Sequence, residues 1–185
     1  MAGLAKTRAG DVWDVFGPLG RPAPVPRKRE VLLIGGGIGA APLLLLARVA
    51  MRAQNRVRAF LGARSAPDLF LARDFSRLGV EVEVSTEDGS RGYRGTVVAL
   101  AECRYGGTAG SRLGSDKPRV FACGPRAMLA ELKSRLPGLA IWGFFEERMS
   151  CGCGICYCCA LPRKGGGYIR FCKEGPVVRL DEVEL

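Results

Sequence analysis

Cysteines are concentrated near one end of this 185-residue chain, and they constrain its fold more than any other feature. Of the eight cysteines, six lie between Cys151 and Cys172. Small secreted domains spread their cysteines as a disulfide framework, whereas a dense cluster in an intracellular protein is typical of a metal site. Because histidine is absent, thiolates are the main available ligands, which favours zinc or an iron–sulfur centre.

Three of the clustered cysteines have the spacing C-x4-C-x2-C, through Cys151, Cys156 and Cys159. Plant-type [2Fe–2S] sites combine this spacing with one distant fourth cysteine, and Cys172 can fill that position. The glycines at 165–167 predict a hairpin turn that brings the chain back to Cys172. The pattern therefore predicts a [2Fe–2S] cluster held by these four cysteines.

Other ligand sets remain open at this point. Gly152 and Gly154 suit a loop wrapped around a cluster, because glycine gives backbone freedom and room for N–H groups to approach the sulfides. Zinc ribbons need two close cysteine pairs, and only one end of this module offers them. Cys153 and Cys158 add further thiols beside the predicted ligands, so zinc, ligand exchange and purely structural thiols stay as alternatives.

Upstream of the cysteines, apolar strand patterns alternate with helical patterns. Strands are predicted at 31–34, 56–62, 80–85, 119–123 and 139–145, and helices at 40–53, 67–78, 96–102 and 126–136. Such alternation implies a parallel sheet. We therefore expect an α/β fold, in which a parallel five-stranded nucleotide-binding sheet has helices on both faces and is followed by a small cysteine-rich [2Fe–2S] module.

The composition divides the chain into three parts. Residues 1–29 end in a Pro/Arg-rich stretch that is typical of an extended linker, and a glycine- and serine-rich loop is expected at 106–114. Residues 30–147 carry the strand–helix alternation and are expected to form a dinucleotide-binding domain. Residues 148–185, where that periodicity stops, are expected to form the cluster-binding module.

A glycine-rich turn joins the first strand to the first helix, and it contains Gly35, Gly36, Gly37 and Gly39. Glycines there let the backbone approach a pyrophosphate, which then faces the positive end of the helix dipole. The match to G-x-G-x-x-G is partial, with Ala40 in the third position. Tight strand–helix packing alone would also explain the turn.

A second turn supports the nucleotide hypothesis. Cys123, Gly124 and Pro125 end a later strand, on the edge of the sheet where ligands of open α/β folds gather. Cys123 is either a small buried apolar residue or a neighbour of a bound ring. Together the two turns favour a dinucleotide site.

Charge and hydropathy argue against two function classes. The formal net charge is +10, but the arginines are scattered singly, so a nucleic-acid interface is not expected. The longest apolar run, 38–47, is too short to cross a bilayer. We expect a cytoplasmic protein that binds neither nucleic acid nor membrane.

The motifs also resemble known families. The stretches Gly35–Pro42 and Cys123–Pro125 resemble the nucleotide domain of the ferredoxin–NADP reductase superfamily. The region from Glu146 through Val177 is similar to the electron-transfer subunits of dihydroorotate dehydrogenase B. Reductase subunits of ferredoxin:NADP transhydrogenases are similar in layout but place an aspartate at the first ligand position, so Cys151 favours the dihydroorotate family.

This resemblance implies a redox role in pyrimidine (UMP) biosynthesis. Electrons from dihydroorotate would leave an FMN-containing catalytic subunit, pass through the [2Fe–2S] cluster and FAD, and reduce NAD⁺ within a heterotetramer. The chain resembles only the end of the family's flavin-binding barrel, at Gly10–Gly20, so FAD would be shared with or supplied by another polypeptide. No catalytic residue is assigned, because nothing resembles a dihydroorotate pocket.

Two further points stay open. Arg64 and Ser65 follow the second strand, where they either contact a 2′-phosphate or simply begin a helix, so the residues do not decide between NAD and NADP and only the resemblance favours NAD. The alternative functions are an electron-transfer subunit of another NAD(P)H-linked iron–sulfur flavoprotein and a non-enzymatic metal-binding partner module.

Overall fold

A computed structural model describes residues 6–106 and 117–185, which contain nine strands and four α-helices. Most of the predicted loop at 106–114 lies outside these ranges. The strands are β1 (Glu30–Gly36), β2 (Arg56–Ala63), β3 (Glu81–Thr86), β4 (Tyr93–Arg94), β5 (Arg119–Cys123), β6 (Ile141–Phe144), β7 (Ala160–Pro162), β8 (Tyr168–Arg170) and β9 (Val177–Arg179). The helices are α1 (Ala40–Arg52), α2 (Ala72–Arg77), α3 (Val97–Tyr105) and α4 (Arg126–Arg135).

The central sheet has the order β4-β3-β2-β1-β5-β6-β9. All neighbours are parallel except β6 and β9, which are antiparallel. The five predicted strands form the continuous middle of this sheet, so the predicted fold class is confirmed. The two strands of this sheet that the sequence did not predict are short and lie at its edges, and β9 comes from the cysteine-rich part of the chain.

Alternate residues of β1 face opposite layers, as the two-residue period of a strand requires. Leu32 and Ile34 belong to a core with α3 and α4, whereas Val31 and Leu33 belong to a core with α1 and α2. All four side chains are fully buried. The sheet is therefore covered by helices on both faces, as predicted. Within the described ranges, no helix has the length and apolar character needed to cross a membrane.

One predicted helix is much shorter than expected. A 3-10 turn at Ala66–Asp68 overlaps the start of the predicted segment 67–78, and α2 begins only after Leu71, whose φ is +60°. An α-helix cannot continue through a residue in the left-handed conformation. The helical pattern holds from residue 72 onward, whereas the break at Leu71 has no signal in the local sequence.

The N-terminal segment lies along the domain and is held at several points. The backbone N–H of Gly20 donates to the carbonyl oxygen of Cys172 at 2.9 Å, and that of Arg21 donates to Gly175 at 2.6 Å. A Cβ placed on Gly152 would meet the Phe16 ring at 2.3 Å. Residues 16–21 therefore contact the cysteine-rich region directly.

Asn55 fixes the other end of this segment. Its side chain donates to the carbonyl oxygens of Pro26 (2.7 Å) and Ala50 (2.9 Å) and accepts from the N–H of Arg29 at 3.0 Å. Asn55 is 8% exposed, and its backbone N–H also donates to the carbonyl oxygen of Ala50, at 3.2 Å. The side chain ties the segment before β1 to the end of α1.

Replacing Asn55 by alanine should lower the free energy of unfolding by about 3 kcal/mol, because three hydrogen bonds worth about 1 kcal/mol each are lost. Urea denaturation followed by circular dichroism measures the change. The control is Arg56→Ala, whose side chain is 76% exposed and whose loss should cost about 0.5 kcal/mol or less. Equal stability of the two variants would contradict this role of Asn55.

Candidate functional site

A cavity of about 910 Å³ opens at the carboxyl ends of the parallel strands. Its size falls in the range of small-molecule and cofactor sites, and the carboxyl edge is where ligands bind in open α/β sheets. Its wall includes six of the predicted nucleotide-site residues, which are Gly36, Gly37, Gly39, Cys123, Gly124 and Pro125. Gly35, the seventh, lies just below the cavity at the end of β1, paired with Leu61 and Cys123.

The glycine turn between β1 and α1 is shaped for a close ligand. Gly37 has a φ of +55°, and a Cβ placed on it would meet nothing within 4 Å. The residue therefore needs glycine for its backbone conformation, and it faces open space. No side chain caps the N-terminus of α1, so its first backbone N–H groups stay available to an anion.

The two glycine-containing turns touch each other. A Cβ on Gly39 would lie 2.2 Å from the carbonyl oxygen of Cys123, and one on Gly124 would lie 2.5 Å from Cε of Met128. Only glycine permits this approach at residue 39, since the atom that blocks a side chain belongs to the backbone. The close packing of β1 and β5 thus joins both predicted turns into one wall.

Cys123 presents a neutral thiol at this wall. Burial, with the nearby carboxylate of Glu146 as a smaller cause, raises the pKa of Cys123 to about 11. The thiol therefore stays protonated at neutral pH and behaves as a small apolar group with a weak donor. This position suits contact with a ring better than nucleophilic chemistry.

Sequence reasoning missed several residues of the cavity wall. Phe144 is the last residue of β6, and Phe145 and Glu146 follow it. Pro176 immediately precedes β9. The rule that ligands gather beyond strand ends would have included Phe145 and Glu146. Pro176 carried no such signal, because its place in the wall follows from the pairing of β9 with β6.

The predicted cluster ligands lie close together as two pairs. In the first pair, Cys151 Sγ accepts the backbone N–H of Cys156 at 3.5 Å, and the Cys156 side chain is a further neighbour. These hydrogen bonds, together with the backbone N–H groups of Cys153 and Ile155, lower the pKa of Cys151 to about 5. The loop thus stabilises a thiolate at this position before any metal is considered.

The second pair is formed across the β7–β8 hairpin. Cys159 and Cys172 are each 3% exposed, and the N–H of Cys172 donates to Cys159 Sγ at 3.4 Å. Burial, followed by the neighbouring Cys159, raises the pKa of Cys172. The glycines at 165–167 all have positive φ and connect β7 to β8, so the predicted hairpin turn is confirmed.

The remaining thiols lie outside these pairs. Cys153, Cys158 and Cys103 are exposed, and the N–H of Cys158 donates to Cys156 Sγ at 3.4 Å. Gly152 and Gly154 have φ values of +65° and +80°, which is the backbone freedom expected of them. Among residues 6–106 and 117–185, no three His, Cys, Asp or Glu side chains are placed to hold one metal ion.

The cysteine module and the cavity share one stretch of packing. The rings of Phe145, in the cavity wall, and Phe171, beside Cys172, have centroids 5.0 Å apart. The N–H of Phe145 donates to the carbonyl oxygen of Pro176 at 2.9 Å. Cys159 and Cys172 belong to the same apolar core as Phe145. The two candidate sites are therefore neighbours within one packed structure.

Comparison with known proteins gives the family. The family model for the iron–sulfur cluster binding domain of dihydroorotate dehydrogenase B matches residues 146–184. The "Dihydroorotate dehydrogenase B (NAD(+)), electron transfer subunit" of Geobacillus kaustophilus is 36% identical, over 98% of this chain and 69% of that protein. The chain belongs to the dihydroorotate dehydrogenase B electron transfer subunit family. The similarly named protein of Listeria monocytogenes EGD-e is 35% identical, over 98% of this chain and 70% of the relative.

Solved structures share the fold of this chain. An NADH-dependent reduced ferredoxin-NADP oxidoreductase, studied for flavin-based electron bifurcation, superposes with a TM-score of 0.80 at 32% identity. The match covers 99% of this chain and 64% of that one. The C-terminal domain of a Pyrococcus furiosus hydrogenase matches 69% of the chain with a TM-score of 0.52, and at 18% identity it supports the fold alone. The expected resemblance to the dihydroorotate dehydrogenase B electron transfer subunits is thus confirmed.

Proposed function

We propose that this chain is an electron-transfer subunit that passes electrons from dihydroorotate oxidation, through a [2Fe–2S] cluster and FAD, to NAD⁺ in pyrimidine biosynthesis. The observation that carries the proposal is the direct packing of a four-cysteine module against the wall of a dinucleotide-sized cavity, through Phe171 and Phe145. The module is residues 148–185, and the dinucleotide-binding domain is residues 30–147. Residues 1–29 are the end of a flavin-binding barrel and a linker.

The cysteine module fits a two-iron cluster. Two irons bridged by sulfide need two thiolates each, and the ligands already lie as two pairs. Cys151, Cys156, Cys159 and Cys172 would hold this cluster, one pair facing each iron. Backbone N–H groups are directed at Cys151 and Cys159, and such hydrogen bonds to the ligand sulfurs would tune the potential of a bound cluster.

The cavity fits a dinucleotide. The turn Gly35–Gly39 and the uncapped start of α1 would hold the pyrophosphate, and Cys123, Gly124 and Pro125 would contact the nicotinamide and flavin rings. When bound, the cluster carries single electrons and FAD exchanges them for the hydride that NAD⁺ accepts. The chain's own residues would position these groups, and the Phe145–Phe171 contact packs the two sites against each other.

The proposal includes partners. The chain spans about two thirds of the length of the relatives that it matches. The dihydroorotate-oxidising site lies in a separate FMN-containing catalytic subunit, with which this chain forms a heterotetramer in the cytoplasm. The chain itself is a non-catalytic subunit of that oxidoreductase.

Coexpression with an FMN-containing dihydroorotate dehydrogenase subunit tests the proposal. We expect a complex that contains iron, sulfide and flavin and that forms NADH from NAD⁺ when dihydroorotate is added. The rate of NADH formation should fall more than about tenfold in the complex with Cys172→Ser, because loss of a ligand empties the cluster site. Cys103→Ser should leave this rate unchanged. A complex that forms with both flavins bound and yet reduces no NAD⁺ would overturn the proposal.

A second candidate is an electron-transfer subunit of another NAD(P)H-linked iron–sulfur flavoprotein. It is supported by the 0.80 TM-score with the NADH-dependent reduced ferredoxin-NADP oxidoreductase. Reduction of the chain's cluster by reduced ferredoxin, together with no association with the dihydroorotate-oxidising subunit, would favour this candidate.

A further inference from the structure

We propose that Arg170 is a positioning residue that holds the cysteine loop (residues 151–159) against strand β8 and raises the reduction potential of a bound cluster. The inference rests on the proposed [2Fe–2S] site and adds to it a residue that is not a ligand. The cysteine loop carries three of the four predicted ligands. Arg170 is the last residue of β8 and precedes the fourth ligand, Cys172, by two residues.

The backbone of the hairpin places Arg170 beside the end of the cysteine loop. Ala160, which follows Cys159, is the register partner of Arg170. The next residue continues this contact, because the N–H of Phe171 donates to the carbonyl oxygen of Cys159 at 3.1 Å. The side chain of Arg170 therefore starts from a fixed position between the loop and Cys172.

The guanidinium of Arg170 contacts both halves of the cysteine loop. Its Nη1 donates to the carbonyl oxygen of Gly154 at 3.3 Å, in the half before Cys156. Its central carbon lies 5.6 Å from the centroid of the Tyr157 ring, in the half after Cys156, and this distance is within reach of a cation–π interaction. One side chain thus joins the two halves to the hairpin.

Tyr157 needs contacts of this kind to keep its backbone conformation. Its φ is +57°, which is uncommon for a residue with a side chain and persists only where the surrounding structure determines it. The ring also packs edge-to-face against Tyr168, with centroids 5.9 Å apart. Because Tyr168 and Arg170 both belong to β8, the shape of the loop at Tyr157 depends on that strand.

Glu174 fixes the orientation of the guanidinium. One carboxylate oxygen accepts from Nη2 of Arg170 at 2.7 Å, and the other accepts from the backbone N–H of the same residue at 2.8 Å. The two side chains are 32% and 21% exposed, so salt screens the pair only partly. Because the carboxylate also has its backbone hydrogen bond, it would stay in place, two residues after Cys172, if the guanidinium were removed.

A positive charge at this position favours the reduced form of a cluster. Net charge and hydrogen bonds to the sulfurs set the potential of an iron–sulfur cluster, and reduction adds one negative charge to a group that its thiolates already make negative. The guanidinium is always charged, and its planar fork spans several partners at once, whereas a lysine ammonium supplies the charge without the fork. Substitution can therefore separate the effect of charge from that of position.

Redox titration of the purified chain with its cluster, followed by electron paramagnetic resonance, tests the inference. Arg170→Gln should shift the reduction equilibrium toward the oxidised form by about threefold or more, or about 28 mV at 59 mV per tenfold change. It should also speed the loss of iron to an iron(II) chelator several-fold, because the loop opens more easily. Arg170→Lys should restore most of the potential but not the slow loss of iron.

The matched control is Arg163→Gln. It removes an exposed arginine from the same hairpin, three residues past Ala160 and thus about 10 Å further along the chain. Its potential and its rate of iron loss should equal those of the parent chain.

The outcomes separate the positioning role from the cluster site itself. If the parent chain holds a [2Fe–2S] cluster and Arg170→Gln equals it in potential and in iron loss, or if Arg163→Gln changes both as much, the positioning role is wrong and the cluster site stands. If Arg170→Lys has the low potential of Arg170→Gln, charge is not the cause and the inference is wrong as well. If the parent chain holds no cluster after anaerobic purification, both are wrong.

Arg170→Lys keeps the test decisive if Arg170→Gln purifies without a cluster. The parent chain and Arg170→Lys are then compared directly. Iron loss that is no faster in Arg170→Lys than in the parent would overturn the inference, because the lysine cannot reproduce the contacts with both Gly154 and Glu174.

Discussion

Cys172→Ser should remove the iron–sulfur absorbance of the purified chain and lower its bound iron more than tenfold, an estimate of about 1.4 kcal/mol or more in cluster affinity. Serine keeps the shape of the side chain but replaces the thiolate with a hydroxyl that does not ionise at neutral pH. Cys172 is 3% exposed and lies against Cys159, whereas the spare thiols of the module, Cys153 and Cys158, are exposed.

The extra cysteines provide matched controls for this prediction. Cys153→Ser and Cys158→Ser make the same chemical change in the same module, but both residues are exposed and lie outside the two pairs. Both variants should keep iron, sulfide and the spectrum of the parent chain. Iron and sulfide analysis after anaerobic purification, with electron paramagnetic resonance of the reduced protein, provides the measurement. Loss of the cluster from Cys158→Ser with retention in Cys159→Ser would show that the ligand set is different.

The zinc alternative is tested by the same samples. A colourless chain with stoichiometric zinc, in which Cys153→Ser also loses the metal, would favour a zinc site built on other cysteines. Zinc has no redox chemistry, so that result would remove the electron-transfer function as well as the cluster.

Much of the fold could be predicted because its signals are local. The apolar run of β1, the glycine turn and the leucine-rich α1 follow one another directly in the sequence, and parallel pairing with β2 and β5 follows from the alternation. The position of β9 could not be predicted. Val177–Arg179 is too short for a periodic pattern, and its pairing with β6 depends on how the cysteine module packs against the domain.

The candidate site also has features with a local sequence signal and features without one. The spacing suggested Cys151, Cys156, Cys159 and Cys172 as ligands, and this ligand set stays a prediction. Their arrangement as two pairs had no signal in the spacing, because it depends on the hairpin that brings Cys172 beside Cys159. Gly39 was predicted for its place in a phosphate-binding turn. The structure adds a second reason for glycine there, since the carbonyl oxygen of Cys123 occupies the position of a side chain. Such long-range contacts have no local pattern to reveal them.

Gly39→Ala should therefore have the second large effect. The added Cβ would lie 2.2 Å from the carbonyl oxygen of Cys123 and 2.5 Å from its carbon, and backbone atoms cannot move aside by changing rotamer. We expect the free energy of unfolding to fall by about 3 kcal/mol, as for overpacking in a close-packed interior. The two turns must also separate, so NAD⁺ affinity should fall by more than about tenfold, which corresponds to about 1.4 kcal/mol.

Gly138→Ala is the matched control, because it makes the same change in the turn between α4 and β6. There the nearest atom to the added Cβ is Nζ of Lys117, at 3.5 Å, which is the flexible end of an exposed side chain. This variant should differ from the parent by about 0.5 kcal/mol or less, or be slightly more stable through the lower entropy of its unfolded chain. Thermal unfolding and calorimetric NAD⁺ titration of both variants provide the comparison. If Gly39→Ala were to match Gly138→Ala in stability and in NAD⁺ affinity, then the contact between the two turns would not hold the dinucleotide site in shape.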